Sequence, residues 1–322
     1  MSFKFYLFLI AAFILLALVA VSSGGASISL GDIAKFFTFG EIDETKQLIL
    51  LQMRLPRLVM GILVGALLAT SGVVVQSVFL NPLADPYIIG IASAATFGAV
   101  IAYLLGLSDV FYGIFAFLSA SALSIVIFKL AAHTRSISTL LIVGIAVSSF
   151  LGAFTSFAVY LIGEDSFRIT AWMMGYLGGA NWQKIALLLP PLLFCMAYFY
   201  AKRHELNIIL NGDEEAKSLG LNVEKSKKSL LIVSSLIIGF SVAFTGMIGF
   251  VGLIIPHTLR MALHTASNAV LIPASALTGG VFLVFCDVIA KNALSPVEIP
   301  IGVVTSFFGA PFFLYLAFRK HA

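Results

Sequence analysis

Charge is what this chain has least of. Of its 322 residues, 19 are Lys or Arg and 15 are Asp or Glu, so 11% are charged, against roughly 25% in a typical soluble domain. With 60% hydrophobic residues and a mean hydropathy of +1.07, too few polar groups remain to cover a water-soluble surface. Cysteine is nearly absent too. Cys195 and Cys286 each sit inside an apolar run, without the spacing of a disulfide framework or a metal site, and are read as small packing residues. No G-x-x-x-x-G-K-[ST] occurs, so the chain carries no nucleotide loop of its own. No Ser/His/Asp set and no metal-ligand cluster stands at a membrane edge. His257 and His264 flank Arg260 as interfacial anchors. Neither an enzyme nor a bound cofactor is expected.

Acids inside the apolar runs are scarcer still. Asp287 is the one clear case, whereas intramembrane carboxylates usually mark ion or proton paths. A proton- or sodium-coupled carrier, or a channel, is therefore the weaker alternative, although backbone carbonyls alone can hold sodium.

What is present is a series of apolar runs long enough to cross a bilayer, about 20 residues each. Backbone amides find no water there, which makes helices the available form. The spacing predicts spans at 5–23, 57–79, 88–106, 110–131, 138–162, 185–201, 229–252, 269–290 and 302–318. The first could be a secretory leader, but its core from Phe5 to Val21 exceeds the 7–15 residues expected of one, so it is read as a retained span. A tenth span lies in "FVGLIIPHTLRMAL" (250–263). As one helix, Ser229 to Leu263 would be about 52 Å long, too long for one crossing, and Pro256 is the expected break. Ten spans with both termini cytoplasmic place twelve Lys/Arg inside and seven outside, in the direction the positive-inside rule requires. The stretches 24–52 and 163–184 are expected to lie along the outer surface. Gly61, Gly65 and Gly72 are read as close helix packing without chemistry. Residues 1–322 form one membrane domain.

Two stretches interrupt the apolar runs with design. "VFLNPLADPYIIGIAS" (78–93) places Asn81, Pro82, Asp85 and Pro86 between two spans, where the prolines deny a helix its hydrogen bonds. It is either a plain turn or irregular backbone lining a water-accessible cavity. "LNGDEEAKSLGLNVEKSKK" (210–228) reads as a short helix. Asp213 or Asn211 can cap it, Glu214 and Glu215 suit its positive end, and Gly220 stops it. It is either a docked handle or a solvated loop.

These residues, with "RLPR" (54–57), "AWMMGYLGGANW" (171–182), "GFVGLIIPH" (249–257) and "EIPIGVVTSFFGAPFFLYL" (298–316), resemble the FecCD-type permeases, the membrane subunits of binding-protein-dependent ABC importers for iron chelates, haem and vitamin B12. The resemblance implies an all-α polytopic protein of about ten helices, with the architecture of a vitamin B12 importer permease, in the bacterial inner membrane. It implies a second permease protomer in a homodimer or related dimer, two cytoplasmic ATPase subunits and a periplasmic substrate-binding protein as partners, with membrane lipid around them and no nucleic acid. By the same resemblance Asn81, Leu83 and Ser138 are cytoplasmic gate residues. Residues 212–223 become the ATPase coupling segment, with Asp213, Glu214, Glu215, Leu219 and Gly220 as its key positions. Arg54, Arg57 and Lys291 are implied to dock the binding protein, with membrane anchoring by snorkelling as their alternative role. Lys291 departs from the family, which often has Arg there, and loses the bidentate fork. Siderophore, the commonest cargo in the family, is the expected substrate, with haem or cobalamin also implied and an oxyanion such as molybdate as the alternative.

Overall fold

A computed structural model describes residues 3–25, 28–38, 40–134 and 137–319, and among these it contains helices and no strands. In chain order the α-helices are α1 (Phe3–Ser22), α2 (Leu30–Phe37), α3 (Glu44–Ile49), α4 (Leu55–Val78), α5 (Ile91–Leu104), α6 (Asp109–Thr134), α7 (Ile137–Ile162) and α8 (Phe167–Met173). They continue as α9 (Trp182–Ala201), α10 (Arg203–Ile209), α11 (Asp213–Ser218), α12 (Val223–Thr245), α13 (Val251–Leu263), α14 (Asn268–Asn292) and α15 (Ile301–Arg319). Six helical stretches are long and apolar enough to cross a membrane, and four shorter apolar helices accompany them. Each of the ten expected spans falls on one of these ten helical stretches, six of them of membrane-crossing length.

α4 is the axis of the bundle. It is apolar all round, as a helix buried on every side should be, and its run from Val64 to Val78 is buried without interruption. α14, α12, α13 and α9 pack around it, while α5, α6 and α7 form a second layer. α7 turns Ile142, Phe150, Phe157 and Tyr160 outward, an apolar surface that suits lipid better than water. α1 packs on α14. Cys195 and Cys286 are both buried and free, as packing residues should be.

Glycines set the spacing around this axis. A Cβ on Gly65 would meet Gly279 O at 2.3 Å, and one on Gly72 would meet Gly252 O at 1.9 Å. Only glycine allows α4 this close to α14 and α13.

One expectation is overturned here. The chain does not break at Pro256: α13 runs through it without interruption. The break falls at 246–250, where Gly246 (φ +68°) stops α12 and Phe250 (φ +66°) starts α13. A side chain on Gly246 would collide with Trp172 O at 2.0 Å, so the reversal is wedged against the last turn of α8. Pro256 is tolerated because the carbonyl it leaves without a helical donor, that of Gly252, receives one from Gln76 of α4.

The 24–52 stretch, expected along the outer surface, is partly helical. α2 carries a full capping box, with Ser29 Oγ accepting Asp32 N and Asp32 Oδ2 accepting Ser29 N. Lys46, from α3, donates to the same carboxylate at 2.8 Å. Lys46 and Ser29 together hold the Asp32 carboxyl at about 2.

Candidate functional site

The bundle has two ends, one holding Asn81 and the other Arg57. At the Asn81 end α4 stops in a double hydrogen bond, Leu80 N to Ser77 O at 3.3 Å and Asn81 N to Gln76 O at 3.1 Å. This stop normally uses glycine, yet Leu80 occupies it with φ +51°, at a cost of about 1 kcal/mol. Asn81 Oδ1 then accepts Leu83 N at 2.9 Å, a side-chain mimic of a turn. Asp85 Oδ1 accepts Tyr87 N at 2.7 Å and caps the one-turn 3₁₀ helix Pro86–Ile89, from which Gly90 (φ +84°) leads into α5. The two prolines and two side-chain caps leave this turn few alternative shapes.

The turn opens on a cavity of about 990 Å³. Leu83, Asp85 and Tyr87 form one wall, Gly249, Phe250 and Leu253 at the start of α13 another, and Val303, Phe307 and Ala310 of α15 a third. Its surface is apolar, and among the described lining residues Asp85 is the one acid. Of the three expected gate residues, Leu83 lines this cavity and Asn81 does not. Ser138 lies in the first turn of α7, its side chain outside the described residues.

Beneath the turn, α4 and α13 are joined by buried polar groups that sequence reasoning missed. Gln76 Nε2 donates to the carbonyls of Gly252 at 3.2 Å and Leu253 at 3.3 Å, and Gln76 Oε1 accepts from Arg260 Nη1. Arg260, read from sequence as an interfacial anchor, is therefore a cross-helix contact. Next to it Ser77 Oγ bonds Asn268 Oδ1 at 3.2 Å, and Asn268 bonds Asn207 of α10 through its backbone and side-chain nitrogens. The available signal was a polar residue, Gln76, inside an apolar run.

α10 leads into α11, which projects as a knob. Its N-cap is Gly212, with φ +105°, and no side chain caps it. The expected caps, Asp213 and Asn211, are not used, because Asp213 Oδ1 is drawn to Lys227 Nζ of α12 at 2.6 Å. The stop falls where it was expected. Gly220 (φ +82°) donates to Lys217 O, and Leu221 N reaches Ala216 O at 3.1 Å, which completes a Schellman motif. Ala216 is buried against the body, while Glu214, Glu215 and Leu219 are exposed.

At the Arg57 end lies a buried ion cluster. Arg57 Nε bonds Asp287 Oδ1 at 2.9 Å, and Nη1 holds both oxygens of Glu298 at 2.9 Å. Lys291 Nζ stands 3.3 Å from Asp287 Oδ2 and donates to Ala20 O, in the last turn of α1, at 2.9 Å. Arg54 is buried, its guanidinium against Gly24. The structure thus gathers Arg54, Arg57 and Lys291 at one end, with their side chains turned into the protein and away from its surface.

A family model described as the FecCD transport family matches residues 10–319. A cobalamin import system permease protein of Halobacterium salinarum is 43% identical over 280 residues, 85% of this chain and 74% of that protein. A hemin transport system permease protein of Yersinia pestis is 35% identical over 327 residues, 97% of this chain and 95% of that protein. A solved inward-facing structure assigned to a metal-chelate type ABC transporter superposes with a TM-score of 0.87 at 32% identity, covering 98% of this chain and 99% of that one.

Proposed function

Because the chain belongs to the FecCD transport family of ABC importer permeases, we propose that it carries a bulky metal chelate through the bacterial inner membrane, with ATP hydrolysed on a separate subunit. The observation that carries this reading is the cavity of about 990 Å³ with Leu83 in its wall. That volume lies at the upper end of small-molecule pockets. Its apolar surface suits a large chelate and offers a small oxyanion such as molybdate little to bind. Cobalamin is the first cargo and haem the second, on the strength of the relatives named for them. This order replaces siderophore, which rested on its frequency in the family. A secondary carrier fits less well: Asp287, the one clear acid within the spans, is already paired with Arg57 and Lys291.

In this reading the Asn81 end is cytoplasmic, both termini are inside, and two protomers face each other across the path. Leu83 and Asn81 form the gate with Ser138 nearby, and α11 seats in the ATPase. The docking surface for the binding protein is the 293–300 segment, with Leu294 and Val297 exposed and Glu298 held by Arg57. Arg54, Arg57 and Lys291 support that surface from within.

The test is ATP-dependent uptake into proteoliposomes holding the permease, its ATPase and its binding protein. Cyanocobalamin uptake at a rate well above that of molybdate is expected, and uptake without ATP would overturn the assignment. Cysteines at Leu83 should also crosslink between protomers in the nucleotide-free state. Failure with reagents of every length, in an intact dimer, removes Leu83 from the path.

Coupling has its own test. A Cβ at Gly220 meets no atom within 4 Å, so the main effect of a β-branched residue there comes from the φ of +82°, a strain of about 1–3 kcal/mol. Gly220→Val is therefore expected to leave the bundle folded while lowering uptake per ATP hydrolysed. An unchanged ratio would show that α11 transmits nothing.

A further inference from the structure

The side chain of Gln76 is used at both ends. Its nitrogen serves two carbonyls in the first turn of α13, and its oxygen holds Arg260 about two turns further along the same helix. The backbone carbonyl of the same residue accepts Asn81 N, the bond that starts the turn to Leu83. One of the two α13 carbonyls has a particular need. Gly252 O would bond the N–H of residue 256 in a regular helix, and residue 256 is proline. Gly252 is buried, and buried carbonyls are rarely left without a donor. Gln76 supplies that donor from another helix. Two further contacts lie at the same place: α4 approaches at Gly72, and Pro86 of the turn sits where a Cβ on Gly252 would be, 2.6 Å from its Cγ.

We infer that Gln76 is a positioning residue that makes α13 and the 81–89 turn move as one body, with Pro256 creating the vacancy that binds α13 to α4 instead of to itself. α13 walls the cavity on one side and the turn on another, so a joint displacement alters two of its walls together. The inference rests on the proposed reading of Leu83 as a gate.

The test uses the complex of permease and ATPase in nanodiscs with Leu83→Cys as reporter. The rate of crosslinking between protomers is measured with and without ATP plus vanadate, beside the thermal unfolding midpoint. Gln76→Met keeps the length of the side chain and removes both polar contacts. It is expected to lower the midpoint and to cut the nucleotide response about tenfold, a typical coupling magnitude. Adding Pro256→Ala returns an N–H to Gly252 O within α13. The double variant should regain the part of the midpoint lost at Gly252 O but not the response. Arg260→Met leaves Gly252 O satisfied, so it should assemble normally and still lose several-fold of the response. A response that returns with the midpoint in the double variant, or one unchanged in Arg260→Met, would overturn the inference. A reporter insensitive to nucleotide in an assembled, ATP-hydrolysing complex would instead overturn the gate reading, and this inference with it.

Discussion

Asp287→Ala will loosen the whole Arg57 end of the bundle, at a cost of about 3–5 kcal/mol, because it strands charges that have no route to water. Arg57 approaches Asp287 through Nε and Nη2, each at 2.9 Å, and Lys291 stands on the other oxygen. Without that carboxylate, Arg57 retains Glu298, whose side chain is 35% exposed, and the Tyr176 ring, and Lys291 retains the Ala20 carbonyl. Arg54, buried nearby, adds a third cation. The cluster joins α1, α4, α14 and the segment before α15, so four elements lose a common contact. Unfolding midpoints in lipid nanodiscs test this, with Asp287→Ala/Lys291→Met as the control. Removing one cation together with the acid should recover part of the loss, as a coupling of about 0.5–3 kcal/mol between contacting residues. A single variant within about 0.5 kcal/mol of the parent, the range of ordinary surface substitutions, would show that water or lipid headgroups already neutralise the cluster. The same geometry redirects the test of docking. Arg57→Glu would break the cluster as well as alter the surface, so slower binding-protein association in that variant would not isolate docking.

How much of this was legible follows from the distance over which each signal acts. The helices were legible because an apolar run of sufficient length has no alternative in a bilayer. Gly220 was legible because a left-handed stop is a local demand on one residue. The cap of α11 was misassigned because Asp213 pairs with Lys227, fourteen residues on, and leaves the cap position to Gly212. Pro256 was misjudged for a similar reason. Its rule concerns hydrogen bonds within a helix, and the missing bond is replaced from Gln76, 176 residues away from Gly252. Asp287 stood out as a lone acid, but its partner Arg57 lies 230 residues earlier in the chain. That pairing explains why a charge can stay inside the bundle without serving as an ion path.

The glycines of α4 should separate sharply on substitution, although the sequence treats them alike. Gly61→Ala places its Cβ 3.4 Å from Val284 Cγ2 and 3.6 Å from Leu177 Cδ1. Both neighbours are side-chain ends in ordinary contact, so a change of no more than about 0.5 kcal/mol is expected. Gly72→Ala places its Cβ 1.9 Å from Gly252 O and 2.6 Å from Gly252 C. Those atoms are backbone and cannot rotate away, so α4 and α13 must separate by more than 1 Å to restore contact near the 3.5–4.0 Å optimum. Such a shift would stretch the Gln76 bonds, already 3.2 and 3.3 Å, beyond hydrogen-bonding range. Overpacking and the orphaned Gly252 carbonyl then act together, for a loss of about 3 kcal/mol or more. Gly65→Ala belongs with Gly72→Ala, since its Cβ would meet Gly279 O at 2.3 Å. The midpoints of the three variants in one nanodisc preparation give the comparison. Equal values for Gly61→Ala and Gly72→Ala would mean that α13 is free to move off α4 at little cost, and Gln76 could then not hold α13 to the turn above it.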